Sequence, residues 1–198
     1  MNEFKLLADD PVVHFNQWLE DAAMSEPNNP NACALATAYK TGKPSVRMVL
    51  LKGVDERGFV FYTNSESAKG IELSENPCAS LCFHWKTRKR EVRIDGAVEK
   101  VTKGEADSYF ESRARESQIG AWASKQSREL KSQDDLERRI DKFTIKFGRQ
   151  KVPRPEFWEG YRVFHDKVEF WAEKNFRLHD RYVYSRSGSE WSVIKLYP

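Results

Sequence analysis

The strongest constraint on the fold lies between residues 32 and 64. Three short runs, ACALATAY, SVRMVLLKGV and FVFYTN, are separated only by TGKP and DERG. Connectors this short join antiparallel neighbours and leave no room for the crossover that parallel pairing needs. The segment reads as an antiparallel meander. A second hairpin follows, CASLCFHWK and REVRIDGAVEKV around the basic tip TRK, and EGYRVFHDKVEFWAE, RLHDRYVYSR and EWSVIKLYP supply a last group of strands. Helices interrupt them. Asp10 as cap and Pro11 at the first helical position open DPVVHFNQWLEDAA, whose Val12, Phe15, Leu19 and Ala22 share one face. SAKGIELSENP is a short helix. Thr102 and Glu105 have capping-box spacing ahead of a helix running through Tyr109 and Phe110 toward Arg113, and DDLERRIDKFTIKF is a further helix before VPRPEFW breaks the pattern. The sum is an α+β chain, mainly β, folded as a closed or nearly closed antiparallel barrel with helices packed outside.

A chain of 198 residues that is 39% hydrophobic can bury one core without disulfides or structural metal. A single domain over residues 1–198 is expected, with 1–9 a short N-terminal arm and 153–198 its C-terminal strand region. The net charge of +3 is too mild for a nucleic-acid footprint. Cys33, Cys78 and Cys82 lack CxxC spacing and suit a reducing compartment. MNEFKLLADDP has no signal-peptide apolar region, and no apolar run approaches the roughly 18 residues of a membrane span. The expectation is a cytoplasmic protein with no membrane or nucleic-acid partner. The dinucleotide GxGxxG pattern, the P-loop and the GxSxG elbow are all absent, which removes the main support for those chemistries.

Three constellations could carry chemistry. Arg177, His179 and Arg181 alternate in RLHDR and share a face if the stretch is extended; such a cationic face suits an anionic ligand, or an edge strand with acidic neighbours. Tyr109, Arg113 and Ser117 recur every four residues along SYFESRARESQ, stacking phenol, guanidinium and hydroxyl donors suited to phosphate on one helical face, the plainer alternative being an ordinary exposed face. Arg47 and Lys52 punctuate an otherwise apolar strand and need compensation, by snorkelling or by a bound anion, and Lys69 adds a cation near a helix N-terminus. Cys82 and His84 are two ligands without a second pair, so no metal is expected. Lys86, Arg88, Lys89 and Arg90 read as a solvated turn, and Trp158, Trp171 and Trp191 as core residues or stacking faces for a planar cofactor.

Taken in order and spacing, RMVLLK, FYTN, SRARESQIGAWASKQS, FW and RLHDR resemble the pyridoxine/pyridoxamine 5′-phosphate oxidase family, from about Asp10 to Pro198. The resemblance implies an FMN-binding split β-barrel and a homodimer with FMN at the subunit interface. It implies oxidation of the phosphorylated B6 vitamers, pyridoxine or pyridoxamine 5′-phosphate, to pyridoxal 5′-phosphate, with dioxygen reoxidising the flavin to yield peroxide. By resemblance Arg47, Met48, Val49, Leu50, Leu51 and Lys52 line FMN, with Tyr62, Thr63 and Lys69 toward its phosphate. Gln126, Ser127, Trp171 and Arg181 complete that site, some of them from the second subunit. Lys52, Tyr109, Arg113 and Ser117 meet the substrate phosphate. Arg177, Leu178 and His179 hold the pyridine ring, Arg177 by orientation and electrostatics and His179 as general base or hydrogen-bond partner.

Four departures from the family pattern mark this chain. Ala68 stands where an arginine is common, Glu91 where a glutamine meets the flavin edge, and Phe176 where a small polar residue precedes RLHDR. MNEFKLLAD contains no Arg-x-x-Tyr segment of the kind that closes over substrate. The competing functions are a related FMN oxidase acting on another substrate, such as a phenazine precursor, and a non-catalytic flavin or pyridoxal-phosphate binding protein.

Overall fold

The Asp10 carboxylate accepts the Val12 amide at 2.8 Å and Pro11 takes the first helical position, so helix α1 (Pro11–Ala23) begins where the cap chemistry predicts. Its buried face drives Phe15 and Trp18 into the core. Phe15 meets Phe59 and Phe83 edge-on, with ring centroids 4.9 and 5.0 Å apart, and Trp18 meets Phe170 at 5.2 Å. Each ring buried this way contributes roughly 1.5–3 kcal/mol, and α1 thereby closes one side of the sheet. The structure is a computed structural model that describes residues 9–198, so the N-terminal segment whose Arg-x-x-Tyr pattern is missing lies outside the described residues.

The strands are β1 (Ala32–Ala38), β2 (Pro44–Leu50), β3 (Gly53–Asp55), β4 (Gly58–Asn64), β5 (Cys78–Trp85), β6 (Arg90–Lys100), β7 (Trp158–Val163), β8 (Lys167–Ala172), β9 (Asp180–Ser187) and β10 (Glu190–Lys195). The other helices are α2 (Ala68–Glu75), α3 (Lys103–Ser112), α4 (Arg115–Ala123) and α5 (Gln133–Phe147). Every pairing is antiparallel. The main path runs β10-β9-β8-β6-β5-β1-β2, while β7 pairs with the far end of β6 and carries β4 and then β3. β6 therefore serves two limbs: residues 90–95 lie between β5 and β8, and residues 98–100 pair with β7. Gly96 stands at the change of partner. A Cβ there would fall 1.5 Å from the Phe164 carbonyl oxygen, so only glycine lets the β7–β8 connection cross so closely. The result is a curled antiparallel sheet, a half-barrel with α1 as one cover and α3–α5 outside, in the mixed α+β class.

The structure corrects four local expectations. SVRMVLLKGV is not one strand: β2 ends at Leu50, Leu51 turns inward to 4% exposure, and β3 starts at Gly53. The meander stops there too, because β4 pairs with β7, a hundred residues on, instead of with β2. The capping box at Thr102 and Glu105 is present, yet the helix it opens ends at Ser112, and Arg113 is extended (ψ 149°) before α4 begins. Finally, RLHDR is not extended throughout. Asn175–Arg177 form a 3₁₀ turn in which Phe176 and Arg177 hold φ of 58° and 61°, and β9 starts only at Asp180.

Candidate active site

A cleft of about 490 Å³ opens where β2, β4, α3, α4 and the start of β7 converge, within the range that small ligands occupy. Met48, Val49 and Leu50 of β2 form an apolar strip along it, and Lys52 enters from the β2–β3 connection. The end of β4 supplies Tyr62, Thr63 and Asn64, α2 supplies Lys69, and Tyr109, Arg113 and Ser117 come from the α3–α4 corner. Although the helix breaks at Arg113, the three donors still face one space, because α4 resumes at once and turns Ser117 back toward Tyr109. Gln126 and Trp158 also line it.

The cations in the cleft are held in unlike ways. Lys69 is 7% exposed and donates from Nζ to Thr63 Oγ1 at 3.2 Å. Burial lowers its pKa, and the nearby Arg47 guanidinium lowers it further against the opposing pull of Glu72. Arg113 Nη1 is buried without a hydrogen-bond partner, and burial lowers the guanidinium's pKa without discharging it. A half-buried guanidinium with an unused N–H edge is poised for an oxyanion. Aromatic rings surround it: its carbon lies 4.9 Å from the Trp158 centroid, Trp158 stacks on Tyr62 at 5.1 Å, and Tyr62 stacks on Tyr109 at 4.1 Å. Gly160, opposite Tyr62 in the β4–β7 register, makes that stack possible, since a Cβ there would meet the tyrosine ring at 2.6 Å.

Other residues named from the sequence lie outside this cleft. Arg47 bonds Thr37, Ser45 and Glu72 next to it, so its compensation is an internal carboxylate. Leu51 belongs to the core. Ser127 Oγ accepts the Ala68 amide at 3.2 Å, at the first residue of α2, where Ala68 itself offers only this backbone donor. Trp171, Arg177 and His179 line a separate shallow depression with Lys174 and Phe176. Arg181 is nearby on β9, paired in register with Trp171, which is in turn paired with Glu91. Arg181 donates from Nε to the buried Glu169 at 2.7 Å, and Glu169 also binds Arg93. His179 stacks at a tilt on Trp171, 4.5 Å between centroids, and its Nδ1 accepts the Lys174 amide at 3.2 Å. In the neutral ring that bond places the proton on Nε2 and makes its free edge a donor. Sequence reading missed Glu72 and Glu169. The signal was there, since a carboxylate in an apolar helix face or strand needs cations. The basic hairpin tip is tied down: Arg88 bonds the Asp21 carbonyl and Ser25, and Arg90 pairs with Asp21 at 2.7 Å.

Residues 19–147 match the model of the family described as pyridoxamine 5′-phosphate oxidase, and residues 158–198 match that of the pyridoxine 5′-phosphate oxidase C-terminal dimerisation region. The chain belongs to the pyridoxamine 5′-phosphate oxidase family. It is 56% identical over 192 residues to a pyridoxine/pyridoxamine 5′-phosphate oxidase of Maricaulis maris, covering 96% of this chain and 86% of that protein. A relative of the same name from Rhodospirillum rubrum is 54% identical, with 96% of each chain covered. Among solved structures, PhzG of Burkholderia lata, in complex with tetrahydrophenazine-1-carboxylic acid, superposes with a TM-score of 0.91 at 32% identity, covering 97% of this chain and 94% of that one. These relatives make the chain an oxidoreductase of this family on a split barrel. No described helix is long and apolar enough to cross a membrane.

Proposed function

We propose that the chain is an FMN-dependent oxidase that converts pyridoxine or pyridoxamine 5′-phosphate to pyridoxal 5′-phosphate, with dioxygen as electron acceptor, releasing hydrogen peroxide and, from the amine, ammonia. The observation that carries this reading is the half-buried Arg113 guanidinium, whose Nη1 is buried without a hydrogen-bond partner, set beside Tyr109, Ser117 and Lys52 in one cleft. Those four groups offer the charge and donors that a phosphate monoester needs. The remaining lining fits FMN. Met48, Val49 and Leu50 offer an apolar strip, and Lys69 has no carboxylate at ion-pair distance among the described residues, so its charge is open to a phosphate, with Thr63, Gln126 and Ser127 alongside and Arg47 behind. FMN, when bound, supplies a two-electron acceptor toward the substrate's alcohol or amine carbon and an electron donor toward dioxygen. The protein's part is positioning and electrostatics: Arg177 and Leu178 orient the pyridine ring, and His179 offers Nε2–H as a hydrogen-bond donor.

We read the working unit as a homodimer. Three strands separate β8 from β2 and four separate β9 from it, so Trp171 on β8, Arg181 on β9 and the Arg177–His179 connection between them lie far along the sheet from the Met48–Leu50 strip of their own chain. Edge strand β2 exposes Val46 (68%) and Met48 (65%), and Phe176 is 91% exposed, an apolar surface that a second copy of the chain would cover. The second copy brings its Arg177–Arg181 segment to the first copy's cleft. The two matched regions form one domain in this reading, since β7 and β8 pair with β4 and β6. Three free cysteines fit a cytoplasmic, reducing location.

The similarity to PhzG favours one second reading, an FMN oxidase with an unphosphorylated tricyclic substrate. Both readings are tested by a visible absorption spectrum of the purified protein followed by pyridoxine 5′-phosphate under air. A flavin spectrum, peroxide and pyridoxal 5′-phosphate are expected. A flavin spectrum with turnover of a phenazine precursor and none of the B6 vitamers would support the alternative.

A further inference from the structure

We propose that Trp158 is a positioning residue for Arg113, a ring platform that fixes the guanidinium while leaving its N–H groups free for the substrate phosphate. The proposal rests on the reading that Arg113 receives that phosphate. Arg113 occupies an unusual place: it caps α3 with an extended ψ of 149°, and its own amide is spent on the Phe110 carbonyl. Nothing helical fixes the direction of its side chain. Among the described residues no carboxylate pairs with it either, unlike Arg47, Arg162 and Arg181, each of which meets a glutamate or aspartate. What holds it is aromatic. Its carbon lies 4.9 Å from the Trp158 centroid and 5.6 Å from that of Phe110, and the two rings pack edge to face at 5.0 Å.

The choice of ring over carboxylate has a chemical consequence. A carboxylate would consume guanidinium N–H groups and cancel the charge that an incoming phosphate needs. A ring face attracts the cation through its quadrupole and uses no donor. Trp158 is itself fixed: it is 7% exposed, its amide donates to the Pro155 carbonyl at 3.0 Å, its carbonyl accepts from Arg154 at 2.6 Å, and Tyr62 stacks on it. Its position at the first residue of β7 also ties the phosphate end of the cleft to the sheet.

The test is a double-mutant cycle on the flavin-loaded enzyme, using Trp158→Met, which fills the space without a ring, and Arg113→Ala. Trp158→Met is expected to raise KM for pyridoxine 5′-phosphate roughly three- to thirtyfold, the range from an exposed to a desolvated cation–π contact, and to weaken competitive inhibition by inorganic phosphate in parallel. Flavin content and kcat should stay within about twofold. In the Arg113→Ala background the same substitution should leave KM unchanged, because the group it positions is gone. Trp158→Phe, which keeps a ring, should restore most of the affinity, and it carries the cycle with a smaller shift if the methionine variant does not fold. Equal KM effects in both backgrounds, or loss of kcat with KM intact, would mean that Trp158 only supports the fold and would overturn the proposal. A wild-type KM in Arg113→Ala alone would instead overturn the phosphate reading beneath it.

Discussion

The guanidinium of Arg47 meets the carboxylate of Glu72 at 3.1 Å, so the one arginine of β2 is compensated inside the protein by a helix residue that is 1% exposed. Thr37 and Ser45 donate to the same carboxylate. Burial pushes the Glu72 pKa up, but the bonds from Ser45, Thr37 and Arg47 outweigh it and leave the group below its usual value. Glu72→Gln keeps most of the hydrogen bonds and removes the charge, leaving Arg47 partly buried and unpaired. A loss of about 1–3 kcal/mol in urea unfolding is expected at pH 7. An unchanged midpoint would mean that the pair contributes nothing net.

Two buried histidines make stability fall on the acid side of neutrality. His14 and His165 are held at about 4, in each case by burial first and then by an arginine, Arg90 and Arg186 respectively. Asp10, Asp55 and Asp166 act on His165 in the opposite sense. A folded-state pKa below the unfolded value of 6.5 means that the unfolded chain binds the proton more readily. The stabilisation is therefore full above pH 6.5 and declines as pH falls from 6.5 toward 4. His165 stacks on Trp191 and bonds Arg186, so its protonation places two cations against each other at the β8–β10 corner. Thermal midpoints across this window should fall steadily in the wild type and less steeply in His165→Gln. Parallel curves would remove His165 from the account.

Arg181 and His179, two residues apart, should separate by assay. Arg181 is aimed by Glu169 on β8, which also binds Arg93 on β6. With its direction fixed, Arg181→Ala should raise the Kd for FMN in the apoprotein by about tenfold or more. His179→Ala should keep FMN. Its anaerobic rate of flavin reduction by pyridoxine 5′-phosphate should drop by about tenfold, with the wild-type pH profile retained, because a ring whose Nδ1 accepts the Lys174 amide acts as a donor and not as a base. A fall of a thousandfold, with loss of a pH dependence that the wild type shows, would restore the general-base role.

What was legible in the sequence follows from how locally each feature is encoded. Asp10-Pro11 and the Thr102–Glu105 pair state their helix starts within four residues, and the 78–100 hairpin is visible because its strands are neighbours in the chain. The break at Arg113 is not, since Arg113, Ala114 and Arg115 all favour helix and the interruption is imposed by packing. RLHDR alternates as a strand would, yet Phe176 and Arg177 take left-handed backbone angles with no glycine to announce them. The pairing of β4 with β7 joins residues a hundred apart, beyond any local pattern. For the site, Tyr109, Arg113 and Ser117 were found by helical spacing and are brought together by a broken helix. Glu72 and Glu169 act on cations far away in the chain and emerge only in three dimensions.

In the proposed dimer the Arg113 cleft of one copy and the His179 segment of another make one active site. Mixing separately purified Arg113→Ala and His179→Ala proteins, after mild dissociation and reassociation, tests it directly. Each hybrid dimer then holds one site with both substitutions and one with neither. With random pairing, half the dimers are hybrids, so activity should recover to about a quarter of wild type. No recovery above the two parents, with hybrids demonstrated by mass, would place both residues in the same chain's site and contradict the account.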